Sequence, residues 1–188
     1  MDLNVSVICM KETTLSSTKK YECFFMELHE DDVRLPDGKT SKRIWIDHPG
    51  AAAVLPITSD NRAILIRQYR YPIRSITIEV PAGKKDVIGE DGFECVRREL
   101  EEETGHASDD IVKVMDMHSC LGYSNELIEL YLARDCCPLE NPESGDDDEF
   151  IEVFHVTREE AGELLRKGQI TDAKTIILLQ QFVHQIHD

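Results

Sequence analysis

The chain has 188 residues, 41% hydrophobic and 31% charged, which suits one domain with a real core, or one domain plus a small appended sheet. Its 37 acidic against 21 basic side chains give a formal charge of −16, a balance that repels nucleic acid and anionic membranes, so neither is expected as a partner. No apolar run reaches the roughly 20 residues that span a bilayer, and the opening MDLNVSVICMKETT has no basic segment followed by an apolar one, so a cytoplasmic protein is expected.

The N-terminal part reads as β. Residues 4–11, 20–28 and 39–47 are strand-like, with Pro36-Asp37-Gly38 a turn signal between the last two. The pattern changes at His48-Pro49-Gly50. Apolar runs at 51–57 and 63–69 flank the turn Ser59-Asp60-Asn61 and predict a hairpin. A short strand at 76–80 leads into Pro81-Ala82-Gly83. Phe93, Val96 and Leu100 then fall at helical spacing, and Gly105 stops the helix.

Strands are predicted at 112–117 and 126–133. A loop of Pro, Asn, Ser, Gly and acids covers 138–148, and a strand follows at 149–156. Thr157-x-x-Glu160 is a capping box that opens a helix ended by Gly168. The last helix spans 171–187, with Ile176, Leu179, Val183 and Ile186 as its inner stripe. Strands mixed with a few helices predict an α+β or layered α/β domain, with a small antiparallel sheet ahead of it.

The six cysteines form no CxxC pair and read as reduced thiols; the vicinal Cys136-Cys137 leaves a redox or metal role open. The seven histidines show no HxH or HExxH spacing and read as non-ligands.

The chemistry concentrates in residues 90–105, EDGFECVRRELEEETG. Glu99 and Glu103 are four apart on one helix face and Glu102 borders it, so three carboxylates are expected to converge away from the core. Carboxylates at this spacing repel by a few tenths of a kcal/mol. In the last helical turn the macrodipole opposes each by roughly 0.3–1 kcal/mol more. Arg97 and Arg98 compensate in part; a hard divalent ion such as Mg²⁺ or Mn²⁺ would compensate further.

This segment resembles the Nudix box, with Gly83, Glu90, Arg98, Glu99, Leu100, Glu102, Glu103 and Gly105 in its fixed places. Two departures are a loop one residue longer than usual between Gly83 and Glu90, and His106 where an apolar residue is usual. HPGAAAVLPI, LIRQYRYPIR, EVPAG and DAKTIILLQ look like the ADP-ribose pyrophosphatase branch of the family.

The resemblance implies a layered α/β/α Nudix-type sandwich with a mixed sheet over residues 48–188. Residues 1–47 would form the small sheet, exchanged between subunits of a homodimer; isolated strands cannot bury both faces alone. It implies metal ligation by Glu99, Glu103, the Ala82 carbonyl and Glu102, with Mg²⁺ or Mn²⁺ as cofactor. Arg98 would pair with Glu90. The general base is expected in the acidic loop, at Glu149 or else Asp147. Arg70 would bind phosphate, with Glu79 a partner for ribose or base; Arg67 and Glu126 are further substrate residues. Trp45 and Tyr71 could stack on a purine or simply pack.

Leu121 replaces the branch's usual proline, so the turn there is expected to be altered and ADP-ribose less secure as substrate. The implied reaction is metal-assisted cleavage of a nucleoside diphosphate linked to another moiety, with ADP-ribose first, giving AMP and ribose 5-phosphate. Another sugar nucleotide or dinucleotide, or a non-catalytic nucleotide-binding module, are the other readings.

Overall fold

The computed structural model describes residues 10–23, 25–85, 89–142, 145 and 150–184, which divide into two compact units.

The first unit comprises Met1–His48 and Cys120–Glu126. Strands β1 (Thr13–Glu22), β2 (Glu27–Arg34) and β3 (Thr40–Asp47) pair antiparallel in that order. The strand expected at 4–11 lies mostly outside the described residues. The one expected at 20–28 is instead the end of β1 and the start of β2, between which the Cys23 N–H donates to the Met26 carbonyl. Every residue of β1 is exposed, so it has no alternating apolar face and its sequence carries no period-2 signal. The Pro36-Asp37-Gly38 turn forms as expected, between β2 and β3. The segment at 120–126 joins this unit: Ile46 N–H bonds the Tyr123 carbonyl at 2.8 Å, and Asn125 N–H returns to the Ile46 carbonyl. The turn around Leu121 forms without a proline, held by the Tyr123 and Ser124 N–H groups on the Cys120 carbonyl, with Leu121 itself 81% exposed.

The second unit comprises Pro49–Ser119 and Leu127–Asp188. Its strands are β4 (Ala51–Thr58), β5 (Ala63–Arg70), β6 (Ser75–Glu79), β7 (Ala82–Lys84), β8 (His106–Ala107), β9 (Asp110–His118), β10 (Leu127–Pro138) and β11 (Ile151–Val156). The sheet runs β11-β5-β4-β10-β8, with β6 on β5, β7 on β4 and β9 on β10. It is mixed: β4 and β10 pair parallel and the other ladders are antiparallel. The helices are α1 (Gly92–Thr104), α2 (Arg158–Arg166) and α3 (Ala173–His184).

Strand alternation divides the core between two layers. Ala52 and Val54 of β4, Ile64 of β5 and Tyr131 and Ala133 of β10 pack with Cys95, Val96 and Leu100 of α1. Ala53 and Leu55, Leu65, and Leu130 and Leu132 face the other way, onto Leu178, Leu179 and Phe182 of α3. Both sheet faces are therefore apolar, and the runs at 51–57 and 63–66 read as continuously hydrophobic. Each fully buried Leu or Ile contributes about 1.5–3 kcal/mol.

The α2 capping box forms: Glu160 N–H bonds Thr157 Oγ1 and Thr157 N–H bonds Glu160 Oε2. The inner stripe of α3 is rotated from the expected one and consists of Lys174, Thr175, Leu178, Leu179 and Phe182. The rotation follows from polar anchors: Asp172 accepts the Thr175 N–H, and Thr175 Oγ1 accepts the Val80 N–H at 2.8 Å. The predicted Ile186 lies outside the described residues. The short strands β7 and β8 carry too few residues for a periodic signal.

Candidate active site

The site is assembled on β7, Glu90 and α1. Asp91 caps α1 by accepting the Phe93 N–H, and Gly105 ends it in the left-handed region at φ 68°. The face turned inward comprises Gly92, Cys95, Val96, Glu99, Leu100, Glu103 and Thr104, while Phe93 is 37% exposed. Glu99 and Glu103 are thus 8% and 7% exposed, facing the sheet rather than away from the core. The i, i+4 row that starts at Cys95 continues through both glutamates, so the stripe that looked apolar carries the carboxylates with it.

Glu103 Oε2 accepts the Ala82 N–H at 2.7 Å, which fixes the end of α1 to the first residue of β7. Arg98 lies among several acceptors: Glu99 Oε1 at 2.6 Å, Glu102 Oε2 at 3.0 Å, the Lys84 carbonyl at 3.3 Å and Glu90 Oε1 at 4.0 Å. The expected pairing with Glu90 is therefore longer than those with Glu99 and Glu102. The Cys95 thiol donates to the Gly83 and Lys84 carbonyls, and burial together with the Glu99 and Glu90 charges pushes it up to about 12.

Gly83 lies so close to Glu99 that a Cβ there would overlap the Glu99 carboxylate. The overlap is with the tip of a flexible side chain. Gly83→Ala is therefore expected to fold, with little change in melting temperature, while losing activity by about 10²-fold because Glu99 is pushed aside; thermal melts and turnover measured together check this.

Arg70 and Glu79 come together. Arg70 Nε and Nη2 donate to the two Glu79 oxygens at 2.7 and 2.8 Å. Thr77 Oγ1 donates to Glu79 at 2.6 Å and Lys174 Nζ donates at 2.6 Å. Burial works to raise the Glu79 carboxyl, but these donors outweigh it and hold it down at about 2. Glu79 chiefly, with Glu103 and Asp172, raises Arg70. Lys174 was not singled out in the sequence; its signal is a lone cation in the first turn of an otherwise apolar helix.

A second carboxylate network was also not foreseen. Glu129 accepts from Lys85 at 2.5 Å, Lys113 at 2.7 Å and Tyr131 at 3.0 Å. Burial opposes its ionisation, and the two lysines and the tyrosine hold it down at about 2. A Cβ on Gly92 would strike this carboxylate, so a side chain at the first residue of α1 would displace Glu129 from its donors.

Other expected site residues are placed elsewhere. Arg67 pairs with Glu152 at 2.7 Å and lies over the Phe154 ring, beside an open cleft of about 530 Å³ lined also by Tyr69, Ile76 and Phe150. Glu126 and Trp45 belong to the three-stranded unit; Trp45 stacks on His29 with centroids 4.9 Å apart. Tyr71 is covered by the Arg74 guanidinium. Cys136 is buried and raised to about 11 by that burial, whereas Cys137 is exposed. Glu149 and Asp147 lie outside the described residues.

The NUDIX domain model matches residues 47–179, a span that includes β7 and α1. The chain belongs to the Nudix family. This Nudix chain is 36% identical over 171 residues to the ADP-ribose pyrophosphatase of Bacillus subtilis (strain 168), covering 91% of this chain and 92% of the relative. It is 37% identical to the methanol dehydrogenase activator of Bacillus methanolicus (90% and 91% covered). With the GDP-mannose pyrophosphatase of Cronobacter sakazakii (strain ATCC BAA-894) it shares 34% over 190 residues (96% and 95% covered). The crystal structure of an ADP compounds hydrolase superposes with TM-score 0.78 at 22% identity, covering 90% of this chain and 91% of that one, so the Nudix sandwich is the fold.

Proposed function

We propose that the chain hydrolyses the pyrophosphate bond of a nucleoside diphosphate linked to another moiety, with ADP-ribose as first substrate and AMP and ribose 5-phosphate as products. The observation that carries this reading is the burial of Glu99 and Glu103 against β7, with the space for the Glu99 carboxylate left by Gly83. Two buried carboxylates one turn apart, near a helix end with no basic residue in its last turn, form an oxygen donor set suited to a hard divalent cation. Glu99, Glu103, Glu102 and the Ala82 carbonyl would hold Mg²⁺ or Mn²⁺. Such an ion neutralises phosphate oxygens and lowers the pKa of bound water.

The residues of the chain do the rest. Arg70, oriented by Glu79, presents a planar fork to a phosphate in a protein whose overall charge repels it. Arg98 ties Glu90, Glu99 and Glu102 to Lys84, the last residue of β7, and keeps the carboxylates in register. Glu149 is the proposed base: water attacks one phosphorus, its proton passes to the carboxylate, and the anhydride oxygen departs with the other phosphate.

Residues 1–47 are proposed as the dimerising sheet of a cytoplasmic homodimer and 48–188 as the hydrolase domain. The wholly exposed β1 favours a partner there, and no helix among the described residues is long and apolar enough to cross a membrane.

Leu121 and the GDP-mannose relative favour a second substrate reading, another sugar nucleotide. One experiment separates them. ADP-ribose, GDP-mannose and dinucleotides are each supplied with Mg²⁺ or Mn²⁺, and products are identified by chromatography. AMP and ribose 5-phosphate, abolished by EDTA and restored by metal, are expected. Stronger turnover of GDP-mannose moves the assignment to the second reading. No turnover of any substrate leaves a binding module.

A further inference from the structure

We propose that Glu27, His29 and Asp47 form a second metal site, for a divalent transition ion of the Zn²⁺ class, on one face of the three-stranded sheet. Glu27 and His29 are two apart on β2 and share a face; Asp47 is the register partner of Glu27 on β3. One ligand atom from each lies within 4.8 Å of the others, and His29 Nε2 is 2.8 Å from Glu27 Oε2. A tetrahedral ion with bonds of about 2.1 Å needs its ligand atoms about 3.4 Å apart, so modest side-chain rotation closes the set.

The surroundings are built to orient these groups. The His29 ring is stacked on Trp45 at 21°, and its Nδ1 is 3.3 Å from Ser17 Oγ, which leaves Nε2 as the outward nitrogen. Asn125 Nδ2 donates to Asp47 Oδ1 at 2.6 Å, and Lys19 holds the Glu27 oxygen that does not face His29. Two residues beyond His29 on the same face is Asp31, 8% exposed. Its Oδ2 accepts the Trp45 N–H, and its Oδ1 is buried with no hydrogen-bond partner. A buried carboxylate with an uncompensated oxygen adds negative potential that a cation would offset. One imidazole with two carboxylates favours Zn²⁺, Co²⁺ or Ni²⁺ over Mg²⁺, which prefers all-oxygen sites. His29 is thus the exception among histidines whose spacing gave no ligand signal, because its partners are supplied by strand pairing and not by a local motif.

Trp45 is the sole tryptophan of the chain, so its fluorescence reports on this site. The full chain, held in excess Mg²⁺, is titrated with Co²⁺, a paramagnetic quencher. Saturable quenching at one equivalent, reversed by Zn²⁺, is expected. Asp47→Asn, which preserves shape and the ring stack, and His29→Ala should each weaken apparent affinity about tenfold or more; Glu103→Gln should leave it unchanged. Quenching that never saturates, that survives both variants at full affinity, or that is lost in Glu103→Gln overturns the site.

Discussion

Glu103→Gln is expected to lower turnover by on the order of 10²-fold or more while the fold stands. The amide oxygen of Gln can still accept the Ala82 N–H that now reaches Glu103 Oε2, so the tie between α1 and β7 survives. What disappears is the negative charge that a divalent ion needs. Without metal the substitution should be neutral or mildly stabilising. It removes one member of a like-charged pair one turn apart and one anion from the negative end of a helix, together worth up to about 1 kcal/mol. For a chain of this length that corresponds to a rise of about 2–4 °C in melting temperature. Turnover and melting curves, each with and without Mg²⁺, check both halves. Near-normal turnover would remove Glu103 from the metal set.

Glu79→Gln is expected to act on stability first. Lys174 is 10% exposed at its side chain and Glu79 4%, so removing the charge weakens a buried ion pair and leaves the ammonium with Asp172 at 3.1 Å, at a cost of about 1.5–3 kcal/mol at neutral pH. The more exposed Arg70 adds less to that cost but loses its orientation, so KM should rise. The acid limb gives an independent sign. The Glu79 carboxyl lies near 4.5 in the unfolded chain and at about 2 in the folded one. Its ionisation therefore contributes stability that is complete above pH 4.5, on the order of 3 kcal/mol, and is lost as the pH falls toward 2. Glu129, held down by its lysines, acts in the same window. Urea unfolding at pH 7 and pH 3 should show a smaller loss between the two in the variant than in the parent. An equal loss would assign the acid sensitivity elsewhere.

Much of this was legible in the chain. The helix carrying the glutamates, its Gly105 stop, the capping box of α2 and the buried hairpin all follow from local rules, because each depends on residues within a few positions of one another. The orientation of Glu99 and Glu103 did not follow. Polarity argues that acids face water, and only the tertiary context shows that the Cys95 row continues through them into the interior. The partners of Glu79 were half visible: Arg70 sits nine residues away, but Lys174 is 95 residues distant and reaches it only through the α3 packing that also rotated that helix from its predicted stripe. The strand expected at 39–47 forms as β3, whereas the one at 20–28 was misplaced because β1 buries nothing, and a strand without an inner face leaves no pattern to read.

The meeting of Gly92 with the Glu129 carboxylate constrains how this sequence can drift. Alanine is the better helix former, by about 1 kcal/mol in a helix interior and by less at a first residue such as Gly92, so Gly92→Ala ought on propensity alone to be a mild improvement. Here three donors hold the glutamate, and the added methyl would push its carboxylate away from them. In a lineage that has already shortened residue 129, the same change turns favourable. The two positions are therefore coupled, and the effect of a change at one depends on which residue stands at the other.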